Sequence, residues 1–130
     1  MNLNQVTVPA VDVVTSTEFY LRLGLKLIVD SRPRYVRFEC PVGGATFSVH
    51  RVETPPVTDG LVVYFELDDL DAAVARLRAA GITFQTDPVD QSWLWREARL
   101  RDPAGNQICL YRAGDNRRYP PWRLPDPSAV

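Results

Sequence analysis

The sequence predicts an α+β fold built from two consecutive βαβββ modules. Three observations carry this reading. The order strand, helix, strand, strand, strand occurs twice, the turn landmarks of the two halves correspond, and residue alternation gives the strands one wholly apolar face.

The first strand is placed at residues 3–8, where Gln5 and Thr7 alternate with Val6 and Val8. Residues 15–23 read as a helix, with Thr15 or Ser16 as cap, Glu18 in the first turn and Phe19 and Leu23 on one side. Gly24 ends it, as a glycine just past a helix does. Strands follow at 25–31, 35–40 and 45–52, separated by Pro33 and by Pro41-Val42-Gly43-Gly44. Residues 54–60 contain Pro55, Pro56 and Gly60, which no central strand accommodates, so they form a linker.

The pattern then returns. Residues 61–67 form a strand, and Asp68 or Asp69 opens a helix over 70–80 in which Leu70, Val74 and Leu77 share a face. Gly81 ends that helix. Strands are placed at 82–86, after which a long loop runs through Pro88 and Gln91, and at 93–101. The turn Asp102-Pro103-Ala104-Gly105-Asn106 leads to a closing strand at 107–112. Asp12 corresponds to Asp68, Gly24 to Gly81, and the Pro41 turn to the Pro103 turn. The modules are therefore 1–53 and 61–112, fused into one domain, with a tail at 113–130 that holds Tyr119, Pro120, Pro121 and Trp122. That tail has too much proline for a helix, and Tyr119 and Trp122 are expected to dock on the domain or across a dimer.

The 130 residues suffice for one compact core, with 45% hydrophobic and 24% charged residues. A net charge of −1 gives no broad nucleic-acid footprint, although Arg96, Arg99 and Arg101 cluster locally. No apolar run has membrane-spanning length, and no secretory segment precedes Cys40 and Cys109. Free thiols and a cytoplasmic location are expected. The single histidine, His50, excludes a site needing two histidines from one chain.

Alternation places Val6, Val8, Phe47, Val49, Val63, Phe65, Leu67, Ile108 and Leu110 on one face, which must pack under the helices. The opposite face carries Gln5, Thr7, Ser48, His50, Val62, Tyr64, Glu66, Cys109 and Tyr111. It is too polar for a second core and too poor in lysine and arginine for a plain solvated face. A partly dry, ligand-sized space fits it, with Tyr35, Arg37, Glu39, Trp93 and Trp95 as further candidates.

The paired modules, Phe19-Tyr20 late in the first helix, and the aromatic strand at 93–101 running into an Asp-Pro-x-Gly-Asn turn resemble the vicinal-oxygen-chelate superfamily. That superfamily contains glyoxalases, bleomycin-resistance proteins and extradiol dioxygenases. The resemblance spans residues 3–112. It implies half-barrel modules enclosing a cup, homodimers, and, in metal-dependent members, one metal ligand on the first and last strand of each module. Those positions here are Gln5, Ser48, Val62 and Cys109. Valine has no lone pair and serine is a poor ligand, so neither a metal nor another cofactor is expected. A displaced site built from His50 and Glu66 is the alternative, although His50 reads more simply as a cavity-lining residue.

Two functions follow from the resemblance. One is binding of a small molecule without metal, with Trp93, Trp95, Tyr64 and Tyr111 stacking on a flat ligand and Glu66 meeting a cationic group. The other is a lyase, isomerase or dioxygenase type of enzyme acting without the usual metal, with His50, Glu66 and Tyr64 as acid–base candidates and Cys109 as a candidate nucleophile. A small-molecule ligand and a second copy of the chain are the expected partners, with no nucleic acid and no membrane.

Overall fold

The computed structural model describes residues 1–126. The last four positions of the predicted tail, Pro127 to Val130, lie outside the described residues. Two four-stranded sheets hold the chain, one per module, in the orders β1-β4-β3-β2 and β5-β8-β7-β6. The first contains β1 (Gln5–Ala10), β2 (Lys26–Ser31), β3 (Tyr35–Glu39) and β4 (Thr46–Arg51); α1 (Val13–Leu23) follows β1. The second contains β5 (Val62–Glu66), β6 (Val89–Asp90), β7 (Arg96–Arg101) and β8 (Gln107–Arg112), with α2 (Leu70–Ala79) after β5. Each opening strand runs parallel to its module's closing strand, β1 with β4 and β5 with β8. The repeat therefore extends to strand order and direction.

The expected apolar face forms the core. Val8, Phe47, Val49, Ile108 and Leu110 are buried there, and Val6, Val63, Phe65 and Leu67 pack against them. Both modules share this core: the Phe47 and Phe65 rings meet at 5.5 Å. Tyr20 on α1 joins it, 4.6 Å from Phe47 and 5.9 Å from Phe38. Offset and edge-on ring pairs of this kind add to the stabilisation from burial alone.

Three local expectations are corrected. First, α1 is capped by Asp12, about one turn earlier than Thr15 or Ser16. The Asp12 carboxylate accepts from the Thr15 backbone N–H at 3.1 Å and from the Thr15 hydroxyl at 2.7 Å. Val13 and Val14 look like strand residues in isolation, but the cap and the burial of Val13 in the core hold them in the first turn. Ser16 is fully buried and Glu18 lies beyond the first turn. Second, residues 82–86 are not a strand. Thr86 lends its side-chain oxygen to the Arg99 N–H at 3.0 Å, and Gln85 N–H reaches the Arg99 carbonyl at 2.8 Å. The edge strand forms only after Pro88, as β6, which pairs Val89 with Glu97 and Asp90 with Arg96. Third, β7 begins at Arg96, because Trp93 and Leu94 belong to a turn in which Leu94 takes φ 67°.

The hydrogen bonds from Thr15 hold the Asp12 carboxyl below its ordinary value of 3.8. A depressed folded-state value means the cap contributes fully above the ordinary carboxylate range and is lost as pH falls through the lowered value. Asp12→Ala is expected to lower the melting temperature by a few degrees at neutral pH, with the gap to the native chain closing in acid. Thermal melts followed by circular dichroism at neutral and acid pH measure both. No helix among the described residues is long and apolar enough to cross a membrane.

Candidate functional site

The polar face of the first sheet is organised around Ser48. Gln5 on β1 donates its amide to the Ser48 hydroxyl at 2.9 Å, and the Tyr35 hydroxyl on β3 lies 2.6 Å from the same oxygen. Arg37 donates Nε to the Tyr35 hydroxyl at 3.0 Å. Burial opposes ionisation of Tyr35, but its hydrogen bonds with Ser48 and Arg37 outweigh that and carry the phenol below its ordinary value. His50 lies two residues along from Ser48, paired in register with Tyr35, and is exposed.

The polar face of the second sheet holds a separate cluster. Tyr111 stacks on Trp95 with ring centres 4.7 Å apart and planes 23° from parallel. Tyr64 meets both rings edge-on, at 5.9 Å and 5.5 Å. Glu97, only 2% exposed, pairs in register with Tyr111 and accepts from the Trp93 indole at 2.9 Å. Its other oxygen accepts from Arg99 at 3.2 Å, and Arg99 reaches the Tyr64 hydroxyl at 3.3 Å. Cys109 is fully buried beside them, and burial, reinforced by the charge of Glu97, pushes its thiol up to about 12. A thiol held protonated in this way is no nucleophile at neutral pH, which removes Cys109 from the catalytic candidates.

Sequence reasoning missed Glu97 and the central position of Arg99. The strand at 93–101 alternates Trp93, Trp95, Glu97, Arg99 and Arg101 on one side, so the signal was present. A charged strand segment next to an apolar core reads as a solvated edge unless its neighbours are known. Arg96 is such a residue, paired with Asp71 at 2.8 Å and Asp90 at 3.1 Å. Arg101 is bound to the Thr58 hydroxyl and the Gly105 carbonyl.

Glu66 lines a cavity at the β5 edge, and its carboxylate is also engaged by the chain after β8. Its Oε2 accepts from the backbone N–H groups of Ala113 at 2.8 Å and Gly114 at 3.0 Å, and Oε1 lies 3.9 Å from Arg117. The carboxylate thus anchors the chain as it leaves β8. Within the chain the tail docks through this contact and through the Trp95 indole, which donates to the Asn116 carbonyl at 3.2 Å. Tyr119 and Trp122, expected to be the docking residues, are both 56% exposed. Tyr119 instead lies between Arg118 and Arg123, at 5.3 Å and 4.5 Å. The tail turns after β8, with the Tyr119 N–H bonded to the Asp115 carbonyl, and within one chain both rings stay exposed.

A cavity of about 630 Å³ opens at the β5 edge. Tyr64, Glu66, Tyr111 and Arg117 line one side, and Leu23, Leu25 and Val42 of the first module line the other. The volume is in the range of small-molecule sites. The two polar faces, by contrast, share no hydrogen bond, ion pair or ring contact among the described residues. Contacts between modules run through the apolar side, as in the Phe47–Phe65 pair and the bond from Tyr20 to Asp102. Gln5, Ser48 and His50 therefore stand apart from Val62, Tyr64, Trp95, Cys109 and Tyr111 within one chain.

The metal position of related enzymes does not fit these residues. The Gln5 amide is held by Ser48 and Thr46, Val62 offers no donor atom, and Cys109 is fully buried and too soft a ligand to complete an oxygen-based set. Within one chain His50 and Glu66 do not meet, since they lie on different sheets, and Glu66 Oε2 is occupied by two backbone N–H groups.

Two four-stranded sheets, each with one helix on its apolar face and a polar opposite face that is aromatic-rich in the second module, define a paired-βαβββ protein of the glyoxalase type. The chain belongs to the Glyoxalase/Bleomycin resistance protein/Dioxygenase superfamily, whose family model matches residues 2–110. Among solved structures it is similar to a glyoxalase/bleomycin resistance protein/dioxygenase from Nocardioides, with 24% identity and a TM-score of 0.77 over 96% of this chain and 90% of that one. It is also similar to the bleomycin resistance determinant encoded on transposon Tn5, with 20% identity and a TM-score of 0.71 over 86% and 98%. A lactoylglutathione lyase from Agrobacterium tumefaciens aligns with 18% identity and a TM-score of 0.70 over 85% and 92%. No curated protein matches the sequence. At these identities the likeness establishes the fold.

Proposed function

We propose that the protein binds and sequesters a small, flat organic molecule in a metal-free cup, and that a second copy of the chain completes the cup. The observation that carries this reading is the aromatic layer of Tyr64, Trp95 and Tyr111, which meets the 630 Å³ cavity at Tyr64 and Tyr111. Stacked rings beside a buried polar pair favour a planar ligand with few polar groups. The unsuitability of Gln5, Ser48, Val62 and Cys109 as metal ligands favours binding over the metal-dependent reactions of the superfamily. The polar face of the first sheet is open within one chain, and a dimer that sets it against the partner's second sheet would supply Gln5, Ser48 and His50 to the same space.

The test combines sedimentation with ligand titration. Analytical ultracentrifugation is expected to give a dimer. Tryptophan fluorescence titrated with planar aromatic antibiotics and aromatic thiol conjugates is expected to quench saturably, equally with a chelator and with added divalent metal. Binding that appears only with metal, or a panel that neither quenches nor raises the melting temperature, would overturn the proposal.

A further inference from the structure

The internal repeat places two arginines at equivalent positions. On the first sheet, one row across three strands reads Thr7, Ser48, Arg37, since Thr7 pairs with Ser48 and Arg37 pairs with Ser48. On the second sheet, the equivalent row reads Tyr64, Cys109, Arg99. Each row lies on the polar face, and each arginine is oriented by a tyrosine hydroxyl: Arg37 by Tyr35 at 3.0 Å, Arg99 by Tyr64 at 3.3 Å.

Both guanidinium groups retain donors. Arg37 uses only Nε among the described residues, which leaves Nη1 and Nη2. Arg99 makes both its bonds, to Tyr64 and Glu97, through Nη2, which leaves Nε and Nη1. On Arg37 the unused Nη1 and Nη2 form an end-on fork that matches the two oxygens of a carboxylate, whereas on Arg99 the unused Nε and Nη1 lie on opposite sides of the group and each offers a single bond. Glu97 offsets much of the Arg99 charge through their ion pair, whereas Arg37 is paired with no carboxylate among the described residues and keeps its full charge for a ligand.

Resting on the cup reading above, we infer that the ligand is an aromatic acid whose anionic group is held between Arg37 of one copy and Arg99 of its partner, with its ring on Tyr64, Trp95 and Tyr111. The net charge that selects the ligand then comes from Arg37, and Arg99, at the equivalent register of the other module, adds a directed hydrogen bond.

A matched pair of probes tests this, quinoline-2-carboxylate and quinoline-2-carboxamide, titrated by calorimetry. The carboxylate is expected to bind about tenfold or more tightly than the amide, as a charge-assisted pair should. Arg37→Gln and Arg99→Gln should each erase that preference and leave amide affinity unchanged. Arg37 is exposed, so its variant keeps the fold even if loss of the Glu97 partner perturbs Arg99→Gln. A refolded mixture of the two variants should regain a minority of sites with native carboxylate affinity, since one cup in each mixed dimer has both arginines. Equal binding of the two probes, an unchanged preference in Arg37→Gln, or no recovery in the mixture would overturn the inference while leaving the aromatic cup in place. If neither probe binds, both readings fall.

Discussion

Replacing Asp102 by alanine is expected to cost about 3 kcal/mol or more of folding stability, the largest loss of any single polar substitution in this chain. Asp102 is 4% exposed, and its carboxylate gathers donors from both modules. Oδ1 accepts from the backbone N–H groups of Asn106 at 2.8 Å and Ala104 at 3.0 Å. Oδ2 accepts from the Tyr20 hydroxyl at 2.6 Å and the Asn106 side chain at 2.9 Å. Asn106 in turn donates to the Pro9 carbonyl at 2.9 Å, so the turn between β7 and β8 is stapled to both α1 and β1. Burial and the nearby Asp102 charge raise the Tyr20 phenol far above its ordinary value, so it remains a donor at every accessible pH. Alanine would leave that fully buried hydroxyl and the turn's N–H groups without an acceptor, and each such orphan costs roughly 1–3 kcal/mol. Tyr20→Phe removes one donor and leaves the others with Asp102, so it should cost about 1–1.5 kcal/mol. Urea unfolding of the two variants separates these cases. Equal and small shifts would mean that the staple contributes little and that the aromatic core alone joins the modules.

The Asp-Pro-x-Gly-Asn turn was legible in the sequence, but its partner was not. Asp102 and Tyr20 are 82 positions apart, and no periodicity links them. Gly105 was read correctly as a turn residue; it takes φ +92°, which a side chain would strain. The nine core-facing residues were legible because strand alternation is a local property, and the two-module order followed from the repeat. The errors fell where a side chain substitutes for backbone pairing. Thr86 and Asp12 both do this, and hydrophobic pattern carries no record of such bonds.

The candidate site was legible in membership and not in arrangement. Tyr64, Trp95, Cys109 and Tyr111 come together as alternation implies, because they lie on one face of β5 and β8 and at the position just before β7. Gln5 and Ser48 also meet, but on the other sheet. Whether two polar faces look at each other depends on how the modules pack, and that is set by the shared apolar core. The partners of Glu66 were hidden for a related reason: they are backbone N–H groups of the segment after β8, and a backbone donor leaves no mark in the sequence.

Trp95→Ala should weaken ligand binding by about thirtyfold or more, the loss expected when a central aromatic anchor is removed from a desolvated site. Trp95 is the keystone of the aromatic layer because it contacts both tyrosines and also holds the tail. Without it, Tyr111 loses its only stacked neighbour among the described residues, and Tyr64 loses one of its two edge contacts. The Asn116 carbonyl loses the indole donor as well, leaving Glu66 as the anchor for residues 113–116. Two readouts then separate from each other. Calorimetry reports the affinity, and limited trypsin digestion at Arg117 and Arg118 reports release of the tail. Trp95→Phe keeps a ring on Tyr111 and removes the hydrogen bond, so it should retain most of the affinity while speeding cleavage. Loss of both properties in Trp95→Phe would assign the binding defect to the tail and not to stacking. Native affinity in Trp95→Ala would remove the aromatic layer from the binding site altogether, because no ligand resting on Tyr64 and Tyr111 could ignore the ring that sets their positions.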